Sequence, residues 1–248
     1  MVTVKGGPGT ADPGQFTALN ITLRWLLVTA YPGYYRIDGP GWLDSAHYDM
    51  VAKVPPGTTK EQFELMIRNL LEERAALKAH REMSEFPTYD LVVAKGGPKL
   101  TEAKEDPQAQ APAADPVGKQ GTKLDADGWP ILDRPGILVY NFFSGGAPVS
   151  RLVAKDQPIS SLAKMLRPAT QAQVADKTGL EGKYDFRLEY AFESTPAATP
   201  APDGMSSAAP PGPGIFSAIK SLGLALEPTK TSLDVLVIDH IDRVLKPN

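Results

Sequence analysis

The chain has 248 residues, of which 42% are hydrophobic and 22% are charged, a composition typical of a globular protein with a buried core. Its formal net charge of −3 gives no basic field, so nucleic acid is not an expected partner. The absence of cysteine excludes disulfides, thiolate metal sites and cysteine nucleophiles.

The N-terminal half predicts short strands alternating with two helices. Residues 15–19 suggest a strand, and Asn20 then stands as a candidate N-cap for a helix that ends at Tyr31. The clearest helix of the chain comes later. There Thr59 and Gln62 stand in capping-box register ahead of an apolar stripe.

Three β-hairpins are predicted from pairs of strand-like runs that are separated by polar or Gly-containing turns. They join residues 77–82 to 88–95, residues 137–143 to 149–154, and residues 224–227 to 233–239. Two further helices are expected between the second and third hairpins. One covers residues 157–166 and is broken before Pro168, and the other covers residues 215–222.

The segment 176–190 has the clearest strand pattern, a polar turn with two glycines followed by an alternating run. The aromatic or apolar residues 184, 186, 188 and 190 share one side, and the charged residues 185, 187 and 189 share the other. A period of two is typical of a half-buried strand. A weaker copy of this turn and Tyr-Asp run leads into Tyr48, which suggests that one structural unit occurs twice.

These elements predict an α+β fold with two related lobes, each a mostly antiparallel sheet with two helices, joined by a disordered linker. The linker is poor in large apolar side chains and cannot offset its ordering entropy by burial. The predicted divisions are a first repeat over residues 1–100, the flexible linker over 101–128, and a second repeat over 129–248 with a mobile Pro/Ala-rich loop at 193–214.

Three stretches carry a resemblance to a known family. They are the Tyr-Asp-Leu-Val-Val-Ala-Lys-Gly-Gly-Pro-Lys-Leu run at 89–100, the turn and strand at 176–186, and the run Val-Leu-Val-Ile-Asp-His at 235–240. In this order they resemble the uncharacterised, duplicated domain-of-unknown-function family of acidobacterial soil bacteria, the Solibacter type. Some members of that family are appended to membrane metallopeptidases of the antibiotic-sensor type. The family supplies no accepted catalytic residues.

The resemblance implies an extracytoplasmic setting, periplasmic or secreted, because members of the family typically carry an export signal. The N-terminus of this chain contains no apolar run of the signal-peptide kind, and no segment is long enough for a membrane helix. The localisation is therefore an expectation drawn from the family.

The sequence contains no assembled catalytic motif. Its three histidines, His47, His80 and His240, show no metal-ligand spacing, so no metal site and no cofactor are predicted. Asp239 beside His240 could be half of a nucleophilic triad, but adjacent strand residues point to opposite faces. Solvent-facing histidines are the simpler interpretation.

A recognition surface is the alternative to chemistry. Trp42 and the pair Tyr34–Tyr35 flank a Gly-Pro-Gly turn, where half-exposed aromatic rings could bind a partner. Asp176 and Lys177 lie in the equivalent turn of the other half. These five residues are the candidate binding residues, with both turns bordering one cleft as a hypothesis.

The predicted function is a non-enzymatic extracytoplasmic binding, sensor or interaction module. Its expected partner is an envelope protein or peptide, which could bind by strand addition to a free sheet edge. One alternative is a hydrolase that uses His80 or His240 with nearby carboxylates. Another alternative is a structural assembly domain of the cell envelope. The sequence itself names no reaction.

Overall fold

The computed structural model of the protein describes residues 2–103, 122–144, 147–191 and 213–246. The α-helices in these residues are Leu23–Ala30 (α1), Lys60–Ala75 (α2), Ile159–Thr170 (α3) and Ile215–Ser221 (α4). The first strands are Thr3–Gly6 (β1), Gln15–Thr22 (β2), Arg36–Asp38 (β3), His47–Lys53 (β4), Lys78–Val93 (β5) and Thr101–Glu102 (β6). The remaining strands are Gly136–Ser144 (β7), Ala147–Gln157 (β8), Val174–Asp176 (β9), Tyr184–Ala191 (β10) and Leu224–His240 (β11).

The strands form three sheets, which confirms the α+β class. Their orders are β1-β2-β4, β6-β10-β8-β7 and β3-β11-β5-β9. Pairing in the first two sheets is antiparallel. In the third sheet, β3 pairs with β11 and β9 pairs with β5 in parallel. These parallel contacts join segments far apart in sequence, which local patterns do not reveal.

The chain divides into two compact units, each with its own core. The first unit comprises residues 1–86 and 231–248, and the second comprises residues 87–230. These boundaries differ from the predicted repeats 1–100 and 129–248. Most of the predicted linker, residues 104–121, and most of the predicted loop, residues 193–212, lie outside the described residues.

Both units bury an apolar cluster against their helices. The first is built around α1 and α2 and includes Leu27, Leu71 and Leu236. The second is built around α3 and α4 and includes Leu162 and Leu188. Burial of such side chains stabilises each unit by about 1.5–3 kcal/mol per large residue.

Two of the three predicted hairpins are wrong. Residues 77–95 and 224–239 each contain one long strand, β5 and β11, in place of two short ones. The stretches predicted as turns are strand segments at the points where the chain passes between the units, at Phe86–Pro87 and Lys230–Thr231. Their residues are mostly exposed, with Phe86 buried. Low hydrophobicity there reflects solvent exposure of the strand and not a reversal of direction.

Helix boundaries differ from prediction at two places, while the capping box at Thr59 and Gln62 is confirmed. Helix α1 begins at Leu23 with Thr22 as its N-cap. Asn20 is part of β2 and has φ of +56°, a left-handed conformation that asparagine tolerates better than most residues. Helix α3 continues past Pro168 and ends before Gln171, which is also left-handed.

One hydrogen bond recurs in both units. The backbone N–H of Asn20 donates to Oδ1 of Asp49 at 2.7 Å, and the two residues are 29 positions apart. The backbone N–H of Asp156 donates to Oδ1 of Asp185 at 2.8 Å, again across 29 positions. Asn20 and Asp156 both have positive φ, and the ladder shifts its register beside each bond.

Candidate functional site

The predicted aromatic residues of the first unit are half-buried and are held by neighbouring rings. Tyr34 packs edge-on against Tyr31 at 5.8 Å between centroids, and the Tyr35 ring lies 4.7 Å from that of Phe86. Trp42 packs against the first core in a short 3-10 turn, Gly41–Asp44. The rings therefore contribute to the stability of their own unit.

Asp176 and Lys177 belong to the second unit. Asp176 accepts hydrogen bonds from the backbone N–H and the hydroxyl of Thr178, which fixes its turn. The backbone N–H of Lys177 donates to the carbonyl oxygen of Leu91, and the Lys177 side chain is exposed. A cleft shared with Trp42 remains a prediction.

The three histidines lie at separate exposed positions. Nδ1 of His80 lies 2.9 Å from Oδ2 of Asp239, with the two side chains 54% and 48% exposed. Hydrogen bonding to Asp239, with the attraction of its charge, raises the pKa of His80. Nε2 of His240 lies 3.1 Å from Asp242, and Nδ1 of His47 lies 3.1 Å from the carbonyl oxygen of Ser45.

No cluster of three or more His, Asp or Glu side chains in the described part of the chain could hold a metal ion. The described residues form three cavities, around Asp125, Lys164 and Phe63. None of the three is lined by a histidine. His80 and Asp239 thus form an exposed pair on neighbouring strands, outside these three cavities.

A broad concave surface lies in the second unit, and we call it the β8–β10 cleft. It has a volume of about 610 Å³. Its lining combines the charged side chains of Lys99, Lys155, Asp125, Asp185 and Arg187 with apolar side chains that include Val153, Leu132 and Leu222. A volume of this size is within the range of small-ligand pockets, about 300–1,000 Å³.

One wall of the cleft is the loop that carries Asp125 and Trp129. The Asp125 carboxylate accepts hydrogen bonds from the backbone N–H groups of Trp129 at 2.8 Å and Asp127 at 3.1 Å. It also pairs with Arg187 of β10 at 3.1 Å. The Trp129 N–H first, with smaller help from Asp127 and Arg187, lowers the pKa of Asp125.

Two arginines of the sheet hold the same loop. The Arg151 guanidinium lies 5.0 Å from the Trp129 ring centroid, and that of Arg187 lies 5.6 Å from it. Arg151 also pairs with Glu189 at 2.5 Å and donates to the Asp127 carbonyl at 2.9 Å. These contacts fix the loop over the sheet face that points away from the second core.

Another part of the cleft lining contains Lys99, whose backbone is held by a close approach of two chain segments. The N–H of Lys99 donates to the Leu222 carbonyl at 2.8 Å, and that of Ala94 donates to the Gly223 carbonyl at 2.9 Å. Gly223 has φ of +71°, and a Cβ atom there would lie 2.1 Å from the Gly97 carbonyl oxygen. Only glycine fits this position.

A second feature of this unit is the edge strand β7, which has one neighbour among the described strands of its sheet, β8. β7 is nine residues long, Gly-Ile-Leu-Val-Tyr-Asn-Phe-Phe-Ser, without charge or proline. Its pairing with β8 runs from Gly136 to Ser144 without a bulge, and Phe143 is 78% exposed. Charges, prolines and bulges are the usual devices that protect a sheet edge from pairing with another chain.

Each of the other edge strands in the described residues contains a charged side chain and is shorter. The charged residues are Lys5 in β1, His47, Asp49 and Lys53 in β4, Glu102 in β6, Arg36 and Asp38 in β3, and Asp176 in β9, with His47 charged only when protonated. β7 is therefore the exception among the sheet edges that the structure describes.

The sequence predicted β7 as a strand but identified neither the edge nor the cleft as a site. Lys155 belongs to no recognisable motif, and Lys99 lies in the 89–100 run that carries the family resemblance but has no assigned role. Both reach the cleft through long-range contacts, those of Lys99 with residues 222–223 and those of β8 with β10. The one sequence feature that could have indicated the part of the cleft around Lys99 is the Gly-Gly-Pro turn before it.

Within the described residues, no helix combines the length and apolar character needed to cross a membrane. No curated protein and no solved structure matches the chain. A family model described as "Protein of unknown function (DUF3738)" matches residues 24–241, which cover most of both units. The chain therefore belongs to the DUF3738 family of proteins of unknown function.

Proposed function

We propose that the protein is a non-enzymatic interaction module that binds an extended segment of a partner protein along the edge of β7. The observation that carries this proposal is that β7 is an uncharged and unbroken strand with no described neighbour on its outer edge. In an edge strand, half of the backbone N–H and C=O groups point away from the sheet, where an added strand can pair with them.

The side chains of β7 supply the selectivity that backbone pairing lacks. Tyr140 and Phe142 stack with 5.9 Å between ring centroids, while Phe143 projects into solvent. Aromatic and β-branched residues are the best cross-strand partners, and each such pair contributes about 0.2–1 kcal/mol. The expected ligand is thus an extended peptide with alternating aromatic or β-branched residues.

A peptide-display selection tests this proposal. Nonapeptides selected on the full chain should alternate apolar and polar residues and should bind with a Kd measurable by fluorescence polarisation. Phe143→Lys, which places a charge on the edge, should weaken their binding about tenfold. Val244→Lys adds the same charge at a position that is 83% exposed in the first unit and should leave binding unchanged.

Three outcomes of this selection would overturn the proposal. The first is that no peptide family is enriched. The second is that both lysine variants bind equally well or equally badly. The third is a dimer in light scattering that Phe143→Lys converts to a monomer, because β7 would then pair with a second copy and the structural assembly alternative would apply.

We also propose an extracytoplasmic setting and an origin by duplication. The proposed setting is supported by the resemblance to the Solibacter-type family. The same resemblance implies an acidobacterial origin and an association of relatives with sensor-type metallopeptidases. Duplication is supported by the matched order β2-α1-β3-β4-α2-β5 and β8-α3-β9-β10-α4-β11. The two N–H to carboxylate bonds at equal sequence separation support it as well.

A hydrolase is the second candidate function, and the contact between His80 and Asp239 is the observation that favours it. A carboxylate that orients an imidazole is part of the usual general-base arrangement. If the pair is catalytic, a panel of ester and peptide substrates should show turnover that His80→Gln abolishes. Absence of turnover in the wild-type chain would remove this candidate.

A further inference from the structure

We infer that the β8–β10 cleft is a binding site for organic carboxylates with an apolar body, separate from the β7 edge. The cleft carries five formal charges, positive on Lys99, Lys155 and Arg187 and negative on Asp125 and Asp185. Its lining is thus net positive, whereas the whole chain has a net charge of −3.

The two carboxylates and the arginine are already engaged. Asp125 pairs with Arg187 at 3.1 Å and accepts two backbone N–H groups. Asp185 accepts the N–H of Asp156 at 2.8 Å. The charges of Asp125 and Arg187 cancel, whereas Asp185 keeps its negative charge because its donor is a neutral N–H group. Lys99, Lys155 and Asp185 together leave the cleft with a net charge of +1.

The two lysine ammonium groups are the cations of the cleft that make no ion pair within the described residues. Neither Lys99 nor Lys155 has a side-chain partner among the described residues, and Lys155 is half-buried in β8. An anion entering the cleft would therefore gain two charge-assisted hydrogen-bond donors without displacing an existing ion pair.

Apolar surface in the same cleft favours an organic anion over a bare inorganic one. Val153 is only 7% exposed although it lies on the face of β8 that points away from the core, and Pro130 and Leu132 line the cleft with it. Ile131, at 42% exposure, leaves more apolar area open to a ligand. Binding pockets commonly combine such an apolar lining with a few polar groups that orient the ligand.

The carboxylate can come from a free acid or from the C-terminus of a peptide, and two matched probe pairs separate these sources. Naphthalene-1-acetate is compared with its neutral amide, and N-acetyl-Ala-Ala-Phe with its C-terminal amide. Binding to the full chain is followed by NMR through the backbone amides of residues 99–101 and 153–155. At least one carboxylate should shift these signals, and its amide should bind at least about tenfold more weakly.

Substitutions assign the effect to the lysines. Lys99→Gln and Lys155→Gln should each weaken carboxylate binding about threefold to tenfold, and Lys155→Arg should retain it. Lys164→Gln removes the same charge from an exposed position on α3 of the same unit, outside the cleft lining, and should have no effect. Four results would overturn the inference. They are equal binding of acid and amide, an equal loss of binding with Lys164→Gln, signal shifts that map outside the cleft, and no binding of either acid.

Discussion

The backbone N–H of Asn20 donates a 2.7 Å hydrogen bond to the Asp49 carboxylate, which holds a left-handed residue inside strand β2. The same arrangement joins Asp156 to Asp185 in the second unit. In each unit, the two side chains of the Tyr-Asp dipeptide have different roles. The tyrosine packs against the core, and the aspartate satisfies the N–H group that the register shift removes from the ladder.

Removing the Asp49 carboxylate tests this role. Asp49→Ala should lower the free energy of unfolding by about 1 kcal/mol, because it leaves the Asn20 N–H without its acceptor. Asp49→Asn keeps an acceptor oxygen and should cost much less. Urea unfolding with both variants checks the difference, and equal losses would show that the hydrogen bond is not the source of the stability.

The His80 and Asp239 pair predicts a titration with a defined sign. Hydrogen bonding to Asp239 raises the pKa of His80 above its ordinary value of 6.5. The resulting contribution to stability is therefore complete below about pH 6.5 and disappears as the pH rises through the folded-state pKa.

NMR titration of the imidazole provides the measurement for His80. Asp239→Asn should lower the His80 pKa towards 6.5. Asp242→Asn, which removes the carboxylate beside His240, should leave the His80 pKa unchanged. A His80 pKa at or below the ordinary value in the wild-type chain would contradict the ion pair.

We expect a single methyl group added at Gly223 to destabilise the protein strongly. Gly223→Ala should destabilise the protein by about 2 kcal/mol or more, because it adds left-handed backbone strain to a clash with the turn at Gly97. Gly33→Ala has open space around the added methyl and is the matched control. Similar melting temperatures for the two variants would contradict the close approach.

We expect a smaller loss of unfolding free energy from substitution of Trp129, because its ring is partly exposed and packs against two guanidinium groups. Trp129→Leu should cost about 1–2 kcal/mol through lost cation–π contacts with Arg151 and Arg187. Trp129→Phe retains an aromatic face and should cost less. Thermal unfolding of the two variants gives the comparison, and an equal loss would assign the effect to packing alone.

Local patterns in the sequence predicted the individual elements well. The alternation from Tyr184 to Tyr190 is confirmed, because residues 184, 186, 188 and 190 are 6%, 5%, 1% and 3% exposed. The capping box at Thr59 is also confirmed. It too is a local signal, because its partner Gln62 lies three residues away. Such signals depend only on neighbours within one turn or one strand.

Features set by distant contacts were not predictable in this way. Sequence patterns divide β5 and β11 into hairpins because a polar strand segment and a polar turn have the same composition. Lys99 reaches the β8–β10 cleft through Leu222, which is distant in sequence. The edge position of β7 follows from the sheet order, which strand patterns alone do not specify.

Hydrogen exchange of the β7 amides with a selected peptide bound tests the central claim most directly. We expect alternate amides between Gly136 and Ser144 to become protected, while those of edge strand β1 exchange at unchanged rates. The amides that already pair with β8 should change little. Unchanged exchange along β7 at saturating peptide, with protection elsewhere, would contradict strand addition at this edge.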